Sequence, residues 1–205
     1  MYKGIDISSW QGNVDFKKVK AAGIDFVLLR AGGSDSGFYT DPYFKKNIQQ
    51  AHEMGLDVGA YYFVGKYCKS ADAGLNDAKR FHEIIKDYQL EYPVYIDFEA
   101  PDHFNKQGNT DACKAFCEYM EGLGYYVGIY ASDISGFQDK LNIDQLTAYD
   151  KWVACWGASP SYVKSWGVWQ FTNRGSVSGV SGRVDRDYSR NNYPQIMRTH
   201  HLNGF

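Results

Sequence analysis

The chain is 205 residues long, 44% hydrophobic and 22% charged, with a formal net charge of −2. Such a composition suits one globular domain with its own core and excludes a disordered chain, and the near-zero charge offers no cationic field to nucleic acid or to an anionic membrane. No apolar run approaches the ~20 residues of a membrane span, and 17 Tyr, 12 Phe and 5 Trp make the chain unusually aromatic.

In chain order, strand-like apolar runs fall at residues 4–8, 26–30, 58–63, 93–99, 126–130, 152–156, 167–171 and 184–188. Near-continuous apolar character suits parallel strands covered on both faces. Helical patterns lie between the first five runs. Residues 15–22 end in the C-cap-like Gly23, and Asp41-Pro42 opens a helix over 43–54 that stops at Gly55. Ser70 or Asp72 caps a helix reaching about Tyr88, and Thr110 caps one over 111–121 ahead of Gly122 and Gly124.

Alternating β and α elements with eight strands predict a closed barrel of the TIM type. The last three strands lie too close together for full crossover helices, because a parallel crossover needs a dozen residues or more. The expectation is therefore an incomplete (β/α)5(β)3 barrel with a sparsely covered closing side. Residues 1–190 form this catalytic-type barrel. The polar residues 191–205, lacking a clear period, read as a C-terminal tail or the start of a linker.

Cys68, Cys113, Cys117 and Cys155 form no Cys-x-x-Cys pair, and the five histidines form no metal-ligand pattern. No cofactor or metal is called for. Gly32-Gly33-Ser34-Asp35-Ser36-Gly37 follows a strand but lacks the ending of a phosphate-binding loop.

Barrel active sites lie at the C-terminal strand ends. The polar and aromatic residues at those ends are Asp6, Arg30, Tyr61, Tyr62, Asp97, Glu99, Tyr130, Trp156, Trp169, Gln170 and one of Asp185 and Asp187. Asp97 and Glu99, at i and i+2 on a strand, point to one face with Cβ atoms about 6.5 Å apart. Mutual repulsion and aromatic burial raise at least one of their pKa values. A proton-bearing acid beside an ionised one is the division of labour that glycosidic cleavage requires. Tyr and Trp rings at the mouth suit the C–H faces of sugars. Asp185 and Asp187 share a strand face, and sequence alone does not choose between them.

Several motifs, in order, make the chain resemble glycoside hydrolase family 25, the muramidase-type lysozymes of bacteria, fungi and phage endolysins. They are Gly4-Ile5-Asp6-Ile7-Ser8-Ser9-Trp10-Gln11, Gly59-Ala60-Tyr61-Tyr62-Phe63, Pro93-Val94-Tyr95-Ile96-Asp97-Phe98-Glu99, Gly128-Ile129-Tyr130, Trp152-Val153-Ala154-Cys155-Trp156, Trp169-Gln170-Phe171-Thr172 and Val184-Asp185-Arg186-Asp187. One departure is Tyr62, where the family often has His. The resemblance implies hydrolysis of the β-1,4 bond between N-acetylmuramic acid and N-acetylglucosamine in peptidoglycan. It implies Glu99 as general acid, with Asp6, Asp97 and Asp185 lining the cleft, and selects Asp185 over Asp187. No signal-peptide-like segment precedes the first strand, so the expected setting is synthesis in the cytoplasm and action on the cell wall after release at lysis. A wall-binding module beyond residue 205 is the expected partner domain.

Overall fold

A computed structural model describes residues 1–205. Its strands are β1 (Tyr2–Ile7), β2 (Phe26–Gly33), β3 (Tyr39–Thr40), β4 (Asp57–Phe63), β5 (Val94–Asp97), β6 (Val127–Ser132), β7 (Asp150–Ala154), β8 (Val168–Gly175) and β9 (Val184–Ser189). The helices are α1 (Phe16–Ala21), α2 (Phe44–Glu53), α3 (Ala71–Ile85), α4 (Lys106–Gly122) and α5 (Tyr193–His200). The sheet runs β1-β9-β8-β7-β6-β5-β4-β2, with the two-residue β3 on the edge of β2, and the β1–β2 pairing closes it into an eight-stranded barrel. All barrel pairings are parallel except those of β9, which runs antiparallel to both β1 and β8. The 176–183 link between β8 and β9 is too short for a crossover, so the chain returns in the opposite direction.

The helices start and stop where local chemistry directs. Asp15 caps α1, Ser70 caps α3, and Gly23 and Gly55 take the positive φ that ends their helices. Helix α4 begins a turn earlier than Thr110, capped by the Asn105 side chain on Gly108 N. Thr110 instead sits inside the helix, its Oγ1 donating to Lys106 O at 2.8 Å and accepting from Asn142 N at 2.9 Å. After β6 the fifth helical connection is short, a π-helical turn (Asp133–Gln138) followed by a 3-10 turn (Ile143–Leu146). Only turns and loops join β7, β8 and β9, which gives the incomplete (β/α)5(β)3 architecture.

Two apolar cores result. Outward-facing strand residues such as Val27, Val58, Ile96 and Ile129 pack under the helices with Phe81, Phe116 and Met120. The inward-facing set is aromatic: Phe26, Tyr61, Tyr92, Tyr95, Tyr130 and Trp152 fill the barrel. Glycines make room for them. A Cβ on Gly4 would lie 2.2 Å from the Phe26 ring, and one on Gly128 2.6 Å from Tyr95. Much of the aromatic surplus therefore packs the barrel interior.

The last fifteen residues correct the expectation of a tail or linker. Helix α5 seals the barrel floor, burying Tyr193 and Met197 against Tyr92 and Tyr126. The Tyr193 hydroxyl donates to Asp150. Asn203 is fully buried. Its Nδ2 donates to Tyr92 O and its Oδ1 accepts from Tyr126 N, both at 2.8 Å. The helical spacing of Tyr193, Ile196 and Met197 was present in the sequence, but polar neighbours obscured it.

Candidate active site

At the C-terminal ends of the strands the barrel opens into a cleft of about 500 Å³, and strand parity decides what enters it. Inward positions supply Asp6 from β1, Arg30 from β2, Tyr61 from β4, Asp97 from β5, Tyr130 from β6, Trp152 from β7, Gln170 from β8 and Asp185 from β9. Glu99 lies two residues beyond the end of β5. The ladder continues far enough, through Phe98 N on Tyr130 O at 2.9 Å, to keep Glu99 on the side of Asp97. Trp156 closes the rim, with its Nε1 donating to Gln170 Oε1 at 3.0 Å.

The same parity excludes two residues expected here. Tyr62 follows the inward Tyr61 and so points outward. It is fully buried, its hydroxyl donates to Gly33 O at 3.0 Å, and it borders a separate cavity of about 390 Å³ with Phe44 and Arg80. Trp169 precedes the inward Gln170 and also faces outward, donating from Nε1 to Cys155 O at 2.8 Å and packing against Trp166 and Tyr188. The substrate-binding expectation for Tyr62 and Trp169 is therefore withdrawn.

Other residues were overlooked. Trp152 forms the cleft floor, with its ring 4.4 Å from Tyr130 and 5.5 Å from Tyr61 by centroid. Its parity with Trp156 carried the signal. Trp10, Asp35 and Asn173 also line the cleft. Asp41 is 2% exposed and anchors the near wall. Its Oδ2 accepts from Arg30 Nε at 2.9 Å and Ser9 N at 3.0 Å, while Arg30 Nη2 donates to Ser9 Oγ at 2.8 Å. This ion pair fixes the Arg30 guanidinium in the wall of the cleft.

The acids fall into two groups. On one side, burial and then the neighbouring Glu99 charge push the Asp97 carboxyl well above the usual range. Its Oδ1 is buried without a protein hydrogen-bond partner. Glu99 lies at the open lip, where partial loss of solvent also raises its pKa against the pull of Lys140. Lys140 Nζ donates to the Glu99 backbone carbonyl at 2.5 Å. On the other side, Asp6 lies directly opposite Asp185 across the β1–β9 pairing, and Asp187 lies one layer deeper. Burial raises all three, with mutual repulsion adding to the shifts of Asp6 and Asp187. Asp6 Oδ2 accepts from Gln170 Nε2 at 2.8 Å, and Asp187 Oδ1 accepts from Trp152 Nε1 at 2.8 Å. The cleft thus sets protonatable carboxyls on facing walls over an aromatic floor, an arrangement able to donate a proton to a leaving oxygen while holding negative charge beside a developing cation.

Comparison with known proteins finds relatives of the whole chain. The autolytic lysozyme of Clostridium acetobutylicum is 30% identical over 186 residues, 90% of this chain and 55% of its own length. The CTP1L endolysin structure superposes with a TM-score of 0.83 at 27% identity, over 97% of this chain and 70% of that one. The modular autolysin LytC from Streptococcus pneumoniae, solved with a synthetic peptidoglycan ligand, superposes with a TM-score of 0.77 at 27% identity, over 91% of this chain and 46% of that one. The chain thus spans about half the length of two of these relatives. The family model for glycosyl hydrolases family 25 matches residues 5–180. With the barrel topology and the motifs in their order, that match establishes that the chain belongs to glycosyl hydrolase family 25.

Proposed function

We propose that this domain is an N-acetylmuramidase that hydrolyses the β-1,4 bond between N-acetylmuramic acid and N-acetylglucosamine in bacterial peptidoglycan, with retention of configuration and assistance from the substrate's own acetamido group. The observation that carries the reading is the pairing of Asp97 and Glu99 on one wall of an aromatic-floored cleft, both with raised pKa values. Glu99, at the open lip, is the general acid. It passes its proton to the glycosidic oxygen as the C1–O bond breaks. The 2-acetamido carbonyl oxygen forms a bond to C1 from the opposite face, giving a cyclic oxazolinium intermediate. Asp97 Oδ1, buried and unpartnered, is free to accept the acetamido N–H and to stabilise the positive charge that develops. Water then attacks C1, Glu99 takes its proton, and the ring opens with net retention. Asp6 and Asp185 face this centre from the other wall. Tyr61, Tyr130, Trp152 and Trp156 offer ring faces to the sugars, and Arg30 and Gln170 offer hydrogen-bond donors.

The peptidoglycan ligand of the pneumococcal relative supports glycan strands as substrate, and the modular relatives support a separate wall-binding module as partner. The endolysin and autolytic lysozyme relatives support action on the cell wall. No helix is long and apolar enough to cross a membrane. The test is Glu99→Gln, which should abolish clearing of a cell-wall suspension while leaving the folded state nearly unchanged; clearing at the wild-type rate would overturn the acid assignment. Mass spectrometry of the digest should show new reducing ends on N-acetylmuramic acid. Ends on N-acetylglucosamine would make it a glucosaminidase or chitinase-like enzyme, and a trapped glycosyl ester on Asp97 or Asp185 would replace substrate assistance with a protein nucleophile.

A further inference from the structure

Asp187 lies beneath the cleft and outside the residues that line it. It is 1% exposed. One oxygen, Oδ1, accepts from Trp152 Nε1 at 2.8 Å, whereas Oδ2 is buried with no N–H or O–H donor. Asp6, itself 6% exposed, shares this inward face: it pairs with Asp185 across β1 and β9 and so lies one step diagonal from Asp187, with its carboxyl in reach of both aspartates. No salt bridge reaches either acid. The cleft cation, Arg30, is bound to Asp41 and Ser9, and Arg186, next to Asp187 on β9, lies outward over the Phe171 ring. The remaining groups facing the pair are Asp185 on β9, Asp97 on β5, Tyr61 on β4 and Tyr130 on β6, none of them cationic. Two facing buried carboxylates without a cation repel, and one proton converts the repulsion into a charge-assisted hydrogen bond.

We propose that Asp6 and Asp187 share a single proton between their facing carboxyls, and that Asp187 is thereby a positioning residue that fixes the Asp6 carboxyl from below. Asp6 is then held from two directions, by this shared proton and by Gln170 Nε2 at 2.8 Å, and cannot rotate away from the cleft. The role in turnover rests on the muramidase reading, in which Asp6 faces the sugar undergoing cleavage. The burial that raises both carboxyls agrees with a retained proton.

The Trp152 indole N–H reports on Asp187 directly, without reference to activity. In nitrogen-15-labelled protein titrated from about pH 4 to about pH 9, its resonance should move in a step well above the ordinary carboxylate range, and that step should vanish in Asp187→Asn. A step within the ordinary carboxylate range would overturn the shared proton. In kinetics, Asp187→Leu should lower kcat about 10- to 100-fold, the worth of one charge-assisted hydrogen bond, with little change in KM. Asp187→Asn should recover most of that loss, because its Oδ1 still accepts from Trp152 and its Nδ2 donates to Asp6 as the shared proton does. An Asn variant as slow as the Leu variant would sink the positioning role. If Asp187→Leu does not fold, a kcat in Asp187→Asn more than 10-fold below wild type decides the same question. If the wild-type chain releases no fragments from cell walls, the muramidase reading fails, and the Trp152 titration still tests the proton.

Discussion

Gln170 holds Asp6 through a side-chain amide that is fixed at both ends. Its Nε2 donates to Asp6 Oδ2 at 2.8 Å, and its Oε1 accepts from Tyr130 Oη at 3.1 Å and Trp156 Nε1 at 3.0 Å. One buried residue, 2% exposed, thus couples an acid on one wall to the ring at the rim. Gln170→Leu keeps the volume but removes all three bonds. It should cut kcat about 10- to 100-fold and raise KM as Trp156 loses its anchor. Steady-state kinetics on a soluble glycan fragment would show both changes. A drop in kcat with KM unmoved would mean that Trp156 does not hold sugar.

The pH response of the lip can be tested through Lys140. Its charge lowers the Glu99 pKa, opposing the larger effect of burial. A general acid must hold its proton, so activity falls as pH rises through the Glu99 pKa. Removing the cation in Lys140→Met raises that pKa and should move the alkaline limb of the kcat/KM profile to higher pH. A shift to lower pH, or none, would show that Glu99 does not set this limb.

Helices α3 and α4 cross at Gly74, where an added Cβ would lie 2.0 Å from the Ala112 carbonyl oxygen. On helix propensity alone Gly74→Ala would gain up to ~1 kcal/mol. The obstacle is backbone, which cannot swing aside, and overpacking of this kind costs about 1–3 kcal/mol. The clash should win, so urea denaturation should show net destabilisation. Cell-wall lysis at low temperature should stay near wild type, because Gly74 does not line the cleft.

Asn203→Ala leaves the Tyr126 N–H and the Tyr92 carbonyl without side-chain partners at a fully buried site. Asn203 also has φ 55°, which Ala adopts at a cost of roughly 1–2 kcal/mol. With each lost partner at about 1–3 kcal/mol, the variant should be destabilised by several kcal/mol. Thermal melts should reveal a markedly lower midpoint. A chain ending at Arg190 should fare worse, since it lacks the barrel floor. An unchanged midpoint in that truncation would restore the reading of a tail or linker start.

Strand order along the chain, the missing crossover helices and the acid-bearing strand ends were all legible in the sequence, because apolar runs and their spacing follow directly from burial. The misses share a physical origin. Tyr62 and Trp169 were assigned to the mouth by proximity to strand ends, although alternation with Tyr61 and Gln170 turns them outward. Trp152 was overlooked by the same neglect of parity. The antiparallel course of β9 follows from the short 176–183 link, a spacing legible in the sequence although strand direction was not drawn from it. The floor helix α5 went unseen because exposed polar residues outnumber Tyr193 and Met197 within it. The placement of Asp41 behind Arg30 needs the β3 hairpin, whose two residues are too few to read in advance.

The sealed floor has a practical corollary. Met1 leads directly into the start of β1, and Phe205 packs into the cluster beneath the barrel, so both ends of the polypeptide leave on the side opposite the cleft. A tag, a dye or a surface tether joined at either end would orient the molecule with its mouth outward, unobstructed toward an insoluble, cross-linked polymer. A second domain fused there would act as a leash from behind. To meet the same strand that occupies the cleft, its linker would have to climb the height of the barrel, on the order of 20 Å for strands of this length.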